Sequence, residues 1–136
     1  LLTRDNLLYA GGSFDGQVAV WDGSSWADLG AGLDGGFFGV EDLVFAEDAL
    51  VAIGGFDSSD GTSLEKLAYF DGQQWYPLGP GLFKELTGSS GLTLMIDGST
   101  VYLGGLFEQA GNVWAQSIGA FTLKLETVFE SGFEAQ

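Results

Sequence analysis

The chain has 136 residues, 46% of them hydrophobic, with 23 glycines and two prolines. Nineteen acids against four bases give a formal charge of −15, which repels a phosphate backbone or an anionic membrane surface and argues against partners of either kind. Without histidine the commonest general base and metal ligand is missing, and without cysteine there is no disulfide or thiol chemistry.

The hydrophobic fraction suffices for a core and opposes disorder. No apolar run approaches membrane-spanning length, so membrane insertion is not expected. The chain opens on Leu1, with no basic-then-apolar leader ahead of it, which reads as a mature product or a piece of a longer one.

In chain order, the first apolar run is Leu7-Leu8-Tyr9-Ala10, closing on Gly11-Gly12. Next comes Trp21-Asp22-Gly23-Ser24-Ser25-Trp26, continuing through Ala27-Asp28 to Leu29-Gly30-Ala31-Gly32-Leu33. Leu43-Val44-Phe45 follows, then Leu50 to Ile53 closing on Gly54-Gly55, then Leu67 to Phe70 and Trp75 to Leu78. The segment from Phe70 to Leu82 rewrites that from Trp21 to Leu33, 49 residues later, with seven of thirteen positions identical. Val101-Tyr102-Leu103 closes on Gly104-Gly105 and completes a series of three Gly-Gly markers, 43 and 50 residues apart. Two of the three continue as Gly-Gly-x-Phe, at Phe14 and Phe107.

Runs this short, rich in Val, Leu and aromatics and bounded by Gly and Asp, predict strands. Asp22-Gly23 and Asp71-Gly72 are expected as tight hairpin turns between third and fourth strands, and Asp97-Gly98 between first and second. A four-stranded antiparallel unit repeated every 45 to 50 residues predicts an all-β chain of β-propeller blades. The expected division is 1–35, beginning on a second strand and so lacking its first; 36–84; a degenerate 85–129, with its fourth strand over Leu125 to Phe129; and a tail at 130–136. Fewer than three blades make an open arc, read as a fragment of a larger propeller completed by further blades or by self-assembly. Structural roles are expected for Gly11, Gly12, Gly54, Gly55, Gly104 and Gly105, where a Cβ would collide with a neighbouring strand. Trp26 and Trp75 are expected as the large side chain each blade buries against the next.

An apolar strand ending in Gly-Gly, an aromatic-Asp turn and a following Trp (Ile53-Gly54-Gly55, Tyr69-Phe70-Asp71, Trp75) resemble the kelch-type blade. The Asp-Gly-x-x-Trp-x-x-Leu-Gly-x-Gly-Leu tail is similar to repeats of bacterial secreted propellers and fungal cell-surface propellers. The resemblance spans roughly residues 5 to 121. It implies a secreted or cell-surface, bacterial setting. Kelch enzymes of the galactose-oxidase type hold copper with Tyr and His, and sialidase propellers grip a carboxylate with several arginines. This chain has no His and one arginine, Arg4.

Strand alternation puts the longer connections on one side of the arc, and binding residues concentrate on loops carried by a rigid scaffold. Phe37, Phe38, Phe83, Lys84, Glu108 and Trp114 are the candidate ligand-binding residues there, facing a protein or a glycan. In the segment from Asp57 to Glu65, oxygens alternate around a glycine as in calcium loops, without the third early acid of an EF-hand. Asp57, Ser59, Asp60 and Glu65 are the candidate calcium ligands, and no other cofactor is expected. The expected function is non-catalytic binding or scaffolding. The alternatives are the C-terminal part of a carbohydrate-active propeller enzyme with its catalytic residues upstream, and a structural spacer.

Overall fold

The computed structural model describes residues 1–79, 81–83, 90–110, 113–114 and 116–122. Among them there is no helix. Strands β1 (Leu2–Arg4), β2 (Leu7–Gly11), β3 (Val18–Trp21) and β4 (Trp26–Asp28) form an antiparallel meander in that order, the first unit. Strands β5 (Val40–Ala46) and β6 (Ala49–Gly54) are followed by a small hairpin, β7 (Ser58–Ser59) with β8 (Thr62–Ser63). Strands β9 (Leu67–Phe70) and β10 (Trp75–Pro77) then return to β6 and complete the second unit in the order β5-β6-β9-β10. After β11 (Leu82–Phe83) come β12 (Ser90–Asp97) and β13 (Thr100–Leu106), then the short β14 (Gln109–Ala110) and β15 (Val113–Trp114), and finally β16 (Ile118–Thr122). Strands β12, β13 and β16 make the third unit, and β11, β14 and β15 a small sheet of their own. Consecutive antiparallel sheets of this kind fit a β-propeller-like fragment.

The expected fourth strand of the third unit, over 125–129, and the tail at 130–136 lie outside the described residues. The first unit departs from expectation because its first strand is present. Asp5 and Asn6, at φ 53° and 64°, form a two-residue turn that folds Leu2–Arg4 back onto β2. Three residues are too few for alternation to show in the sequence. Arg4 also ties the first two units together, with its guanidinium 4.5 Å from the Phe45 ring centre and donating to Asp48 at 2.9 Å.

The Asp-Gly links differ in detail from two-residue turns. Trp21 pairs with Trp26 and Phe70 with Trp75, so each link is four residues long. Only the glycine takes a positive φ (103° at Gly23, 104° at Gly72), while the aspartate closes the turn with its side chain. Asp22 Oδ1 accepts from the Ser24 and Ser25 amides, and Asp71 Oδ1 from those of Gln73 and Gln74, all at 2.8–2.9 Å. The backbone amides of Ser25 and Ser24 hold the Asp22 carboxyl below its usual range.

Backbone hydrogen bonds reveal a repeat register that differs from the Gly-Gly pairs. Gly12 N donates to Gln17 O, Gly54 N to Lys66 O and Gly105 N to Ser117 O, at 3.0–3.1 Å. Reciprocally, the amides of Gln17, Lys66 and Ser117 donate to the carbonyls of Phe14, Phe56 and Phe107 at 2.9–3.1 Å. All three closing residues are left-handed, with φ between 60° and 78°. The equivalent glycines are therefore Gly12, Gly54 and Gly105, so all three copies read Gly-x-Phe. Up to this clasp the first two copies are 42 residues apart, and after it 49, because the loop inside grows from four residues to eleven.

The packing cores lie between the units. One joins the first two: Val18, Leu29 and Leu33 against Leu50, Ala52, Ala68, Trp75 and Phe56. The other joins the second to the third: Val51, Ile53, Leu67, Leu78 and Leu82 against Leu94, Val101, Leu103 and Phe107. Asp42 bonds across the second junction, accepting from the Leu94 amide at 2.7 Å next to bulges that skip Glu41 and Leu92. Trp75 is 3% exposed, packed against the preceding unit rather than the next one, with its indole Nε1 donating to Leu29 O of the first unit at 3.1 Å. Trp26, at the same repeat position, is 53% exposed, because no sheet among the described residues lies against that face.

The glycines that close the strands are held by close approach. A Cβ on Gly54 would overlap Gly39 O, and one on Gly11 would overlap the Val40 side chain. On Gly104 it would meet Thr93 Cγ2 at 3.2 Å.

Phe56 (0% exposed) and Phe107 (2%) each seal a core, whereas Phe14 (43%) does not. Phe56→Ala and Phe107→Ala should each lower stability by about 3–5 kcal/mol. Phe14→Ala should cost about 1 kcal/mol or less. Urea midpoints of the three variants check this, and equal losses at all three positions would refute the assigned register.

Candidate functional site

The segment between the first two units, residues 33–39, is short of side chains and dense in backbone contacts. Gly35, Gly36 and Gly39 all adopt positive φ, between 64° and 78°, which lets the chain turn repeatedly in little space. A Cβ on Gly36 would overlap the Gly55 carbonyl, and one on Gly39 the Gly12 carbonyl. These glycines press the loop against both neighbouring units.

Hydrogen bonds fix it there. Asp34 O accepts from the amides of Asp57 and Ser58 at 2.9 and 3.1 Å, and the Asp34 amide donates to Ser58 O at 2.8 Å. Gly55 N, also of the second unit, donates to Gly39 O at 2.7 Å, and on the other flank Ser13 Oγ donates to Phe38 O at 2.7 Å and Gln17 Nε2 to Gly35 O at 3.2 Å. Phe37 and Phe38 stand on this loop 92% and 58% exposed. Two adjacent phenyl rings in water on an immobilised backbone form an apolar platform whose ordering cost has already been met by folding.

Below the loop lies an ion pair that the sequence reading missed. Lys66 is nearly buried, and its ammonium donates to Asp57 Oδ1 and to Gly55 O. The left-handed backbone of Lys66, set by the clasp, aims the side chain back under its own loop. The signal in the sequence was its isolation as one of only four basic residues.

That pair bears on the candidate calcium ligands. Asp57 faces Lys66, the Ser59 hydroxyl donates to Gly32 O, and Glu65 Oε1 accepts from Ser63 Oγ at 2.8 Å. Asp60 sits in the exposed turn of the β7–β8 hairpin with φ 46°. Among the described residues no three acidic side chains cluster together.

Of the remaining candidates, Phe83 and Trp114 lie on the small sheet at the second junction and Glu108 just ahead of β14. Phe83 pairs with Gln109, and Gln109 with Trp114, in one row of the small sheet β11-β14-β15. Asp34, Ser58 and Ser63 make the corresponding row at the first junction, where Asp34 bridges Ser58 and Ser58 pairs with Ser63. The same scaffold thus carries a polar row at one junction and an aromatic-flanked row at the next. Trp114 is 68% exposed, Glu108 is half-buried beside it on the chain turn leading into β14, and Lys84 lies outside the described residues.

Asp57→Ala should strand the Lys66 ammonium without its anion, and should cost about 1–3 kcal/mol. Lys66→Met should cost less, because it leaves a half-exposed carboxylate that water can solvate; paired thermal melts give the order, and the reverse order would refute the pairing. No helix among the described residues is long and apolar enough to cross a membrane. Comparison with protein-family models, with curated proteins and with solved structures finds no match to this chain.

Proposed function

We propose that the chain is a kelch-type β-propeller segment that binds a protein or glycan, without catalysis, through its long-loop face. The observation that carries this reading is the pair Phe37–Phe38, exposed on a loop braced by both adjoining units. Exposed aromatic side chains on rigid backbone are the anchors that binding surfaces use, because they lose little conformational freedom on contact. Phe83, Gln109 and Trp114 occupy the equivalent sheet row at the next junction, where Trp114 is exposed, and offer a second candidate contact. A secreted or cell-surface setting rests on the resemblance to kelch-type repeats and is part of this proposal.

The test is retention on a glycan array and on immobilised extracellular protein extracts, for the parent chain and for Phe37→Ser/Phe38→Ser. The double variant removes only exposed rings, so its melting temperature should stay within about 2 °C of the parent. Its affinity for whatever the parent retains should fall at least tenfold, or about 1.4 kcal/mol. Retention unchanged by the double substitution would overturn the assignment of the site.

A further inference from the structure

The outward face of the first unit is the same surface that the second and third units bury. Strand alternation puts Tyr9, Val18 and Val20 toward the second unit. Leu8, Ala10, Ala19 and Trp21 therefore lie on the opposite side, where Trp26 pairs with Trp21. Through the register set by the Gly-x-Phe clasp, Leu8 and Ala10 correspond to Leu50 and Ala52, and Ala19 to Ala68, all buried beneath the first unit. Phe14 corresponds to the buried Phe56, and Trp26 to the buried Trp75. Ala10, Phe14, Ala19 and Trp26 line an open depression of about 310 Å³, with Asp15 beside them.

The second unit shows what fills such a face. The preceding unit lays its Leu29-Gly30-Ala31-Gly32-Leu33 tail across it, Leu29 O accepts the indole proton of Trp75, and Leu29 and Leu33 are buried in the shared core. The tail in turn is anchored by the Leu33 amide donating to Gly16 O at 2.8 Å. Gly32 at φ 74° fits where a Cβ would meet the Gly16 backbone at 2.9 Å.

We infer that the outward face of the first unit is a docking surface for one further sheet unit of this same repeat, whose Leu-Gly-x-Gly-Leu tail supplies the carbonyl acceptor for Trp26 Nε1. A second copy of this chain is a poor occupant, because both of its tails are already engaged. Leu29 O is bonded to Trp75 as described, and Leu78 and Leu82 are buried in the core shared with the third unit. This surface is distinct from the loop face proposed to bind ligand, and the inference stands on the internal repeat alone.

The experiment extends the full chain at its N-terminus with a duplicate of its own residues 1–42, because Leu43 occupies the register position of Leu1. Trp26→Ser is then compared in the parent and in the extended chain. In the parent it should leave the melting temperature within about 2 °C, and in the extended chain it should lower it by about 5 °C or more, as Trp75→Ser does in both. Equal shifts at Trp26 in both chains would overturn the inference. If the extended chain does not fold, light scattering and acrylamide quenching of the parent decide. A monomer from which Trp26→Phe removes a quenchable emission component upholds an open face. A discrete dimer that Trp26→Ser dissociates, or a Trp26 already shielded from acrylamide, overturns the inference.

Discussion

The central sheet, that of the second unit, is apolar on both faces, and that constraint organises everything else. An antiparallel sheet usually turns one face to water and alternates accordingly. Here β6 runs Ala-Leu-Val-Ala-Ile-Gly with every residue buried, since Leu50 and Ala52 face one neighbour while Val51 and Ile53 face the other. No unit can complete a core alone, so stability resides at the junctions. The tail that leaves one unit is the lid of the next, and the indole bond from Trp75 to Leu29 O fixes how the lid sits.

The same constraint explains the loops. Because the units must meet closely, the segment joining them is squeezed between two backbones, and glycines at Gly36 and Gly39 are the residues that fit. Next to these glycines, large side chains have one direction left, outward. Phe37 and Phe38 take it. The exposed aromatic pair is in this sense a product of junction packing, and the candidate binding site is as rigid as the junction beneath it.

Much of the architecture was legible in the sequence. The strands of the second unit, the link placed at Asp97-Gly98 (one residue before the observed turn at Gly98-Ser99) and the burial of Trp75 follow from short apolar runs punctuated by turn residues. The register of the Gly-Gly pairs was not. The clasp takes the second glycine of the pair in the first and third copies (Gly12, Gly105) and the first in the second copy (Gly54), so matching letters misaligned them. Phe56 escaped notice for the same reason. Trp26 stands exposed where Trp75 is buried, because a repeat position gives burial only where something covers it. Lys66 was unreadable as the partner of Asp57, since their pairing depends on a left-handed backbone nine residues further on.

The clasp has a consequence for how such a chain can change. Its two reciprocal backbone bonds involve only main-chain atoms and one left-handed residue, and they close equally well over four residues in the first unit and eleven in the next two. Sheet register is thereby insulated from whatever the enclosed segment contains. Segments of foreign sequence grafted between the Gly-x-Phe and the left-handed residue would meet the same two anchor points, so each unit is a ready acceptor for transplanted loops. Diversity in this architecture has somewhere to accumulate without disturbing the junctions that hold it together.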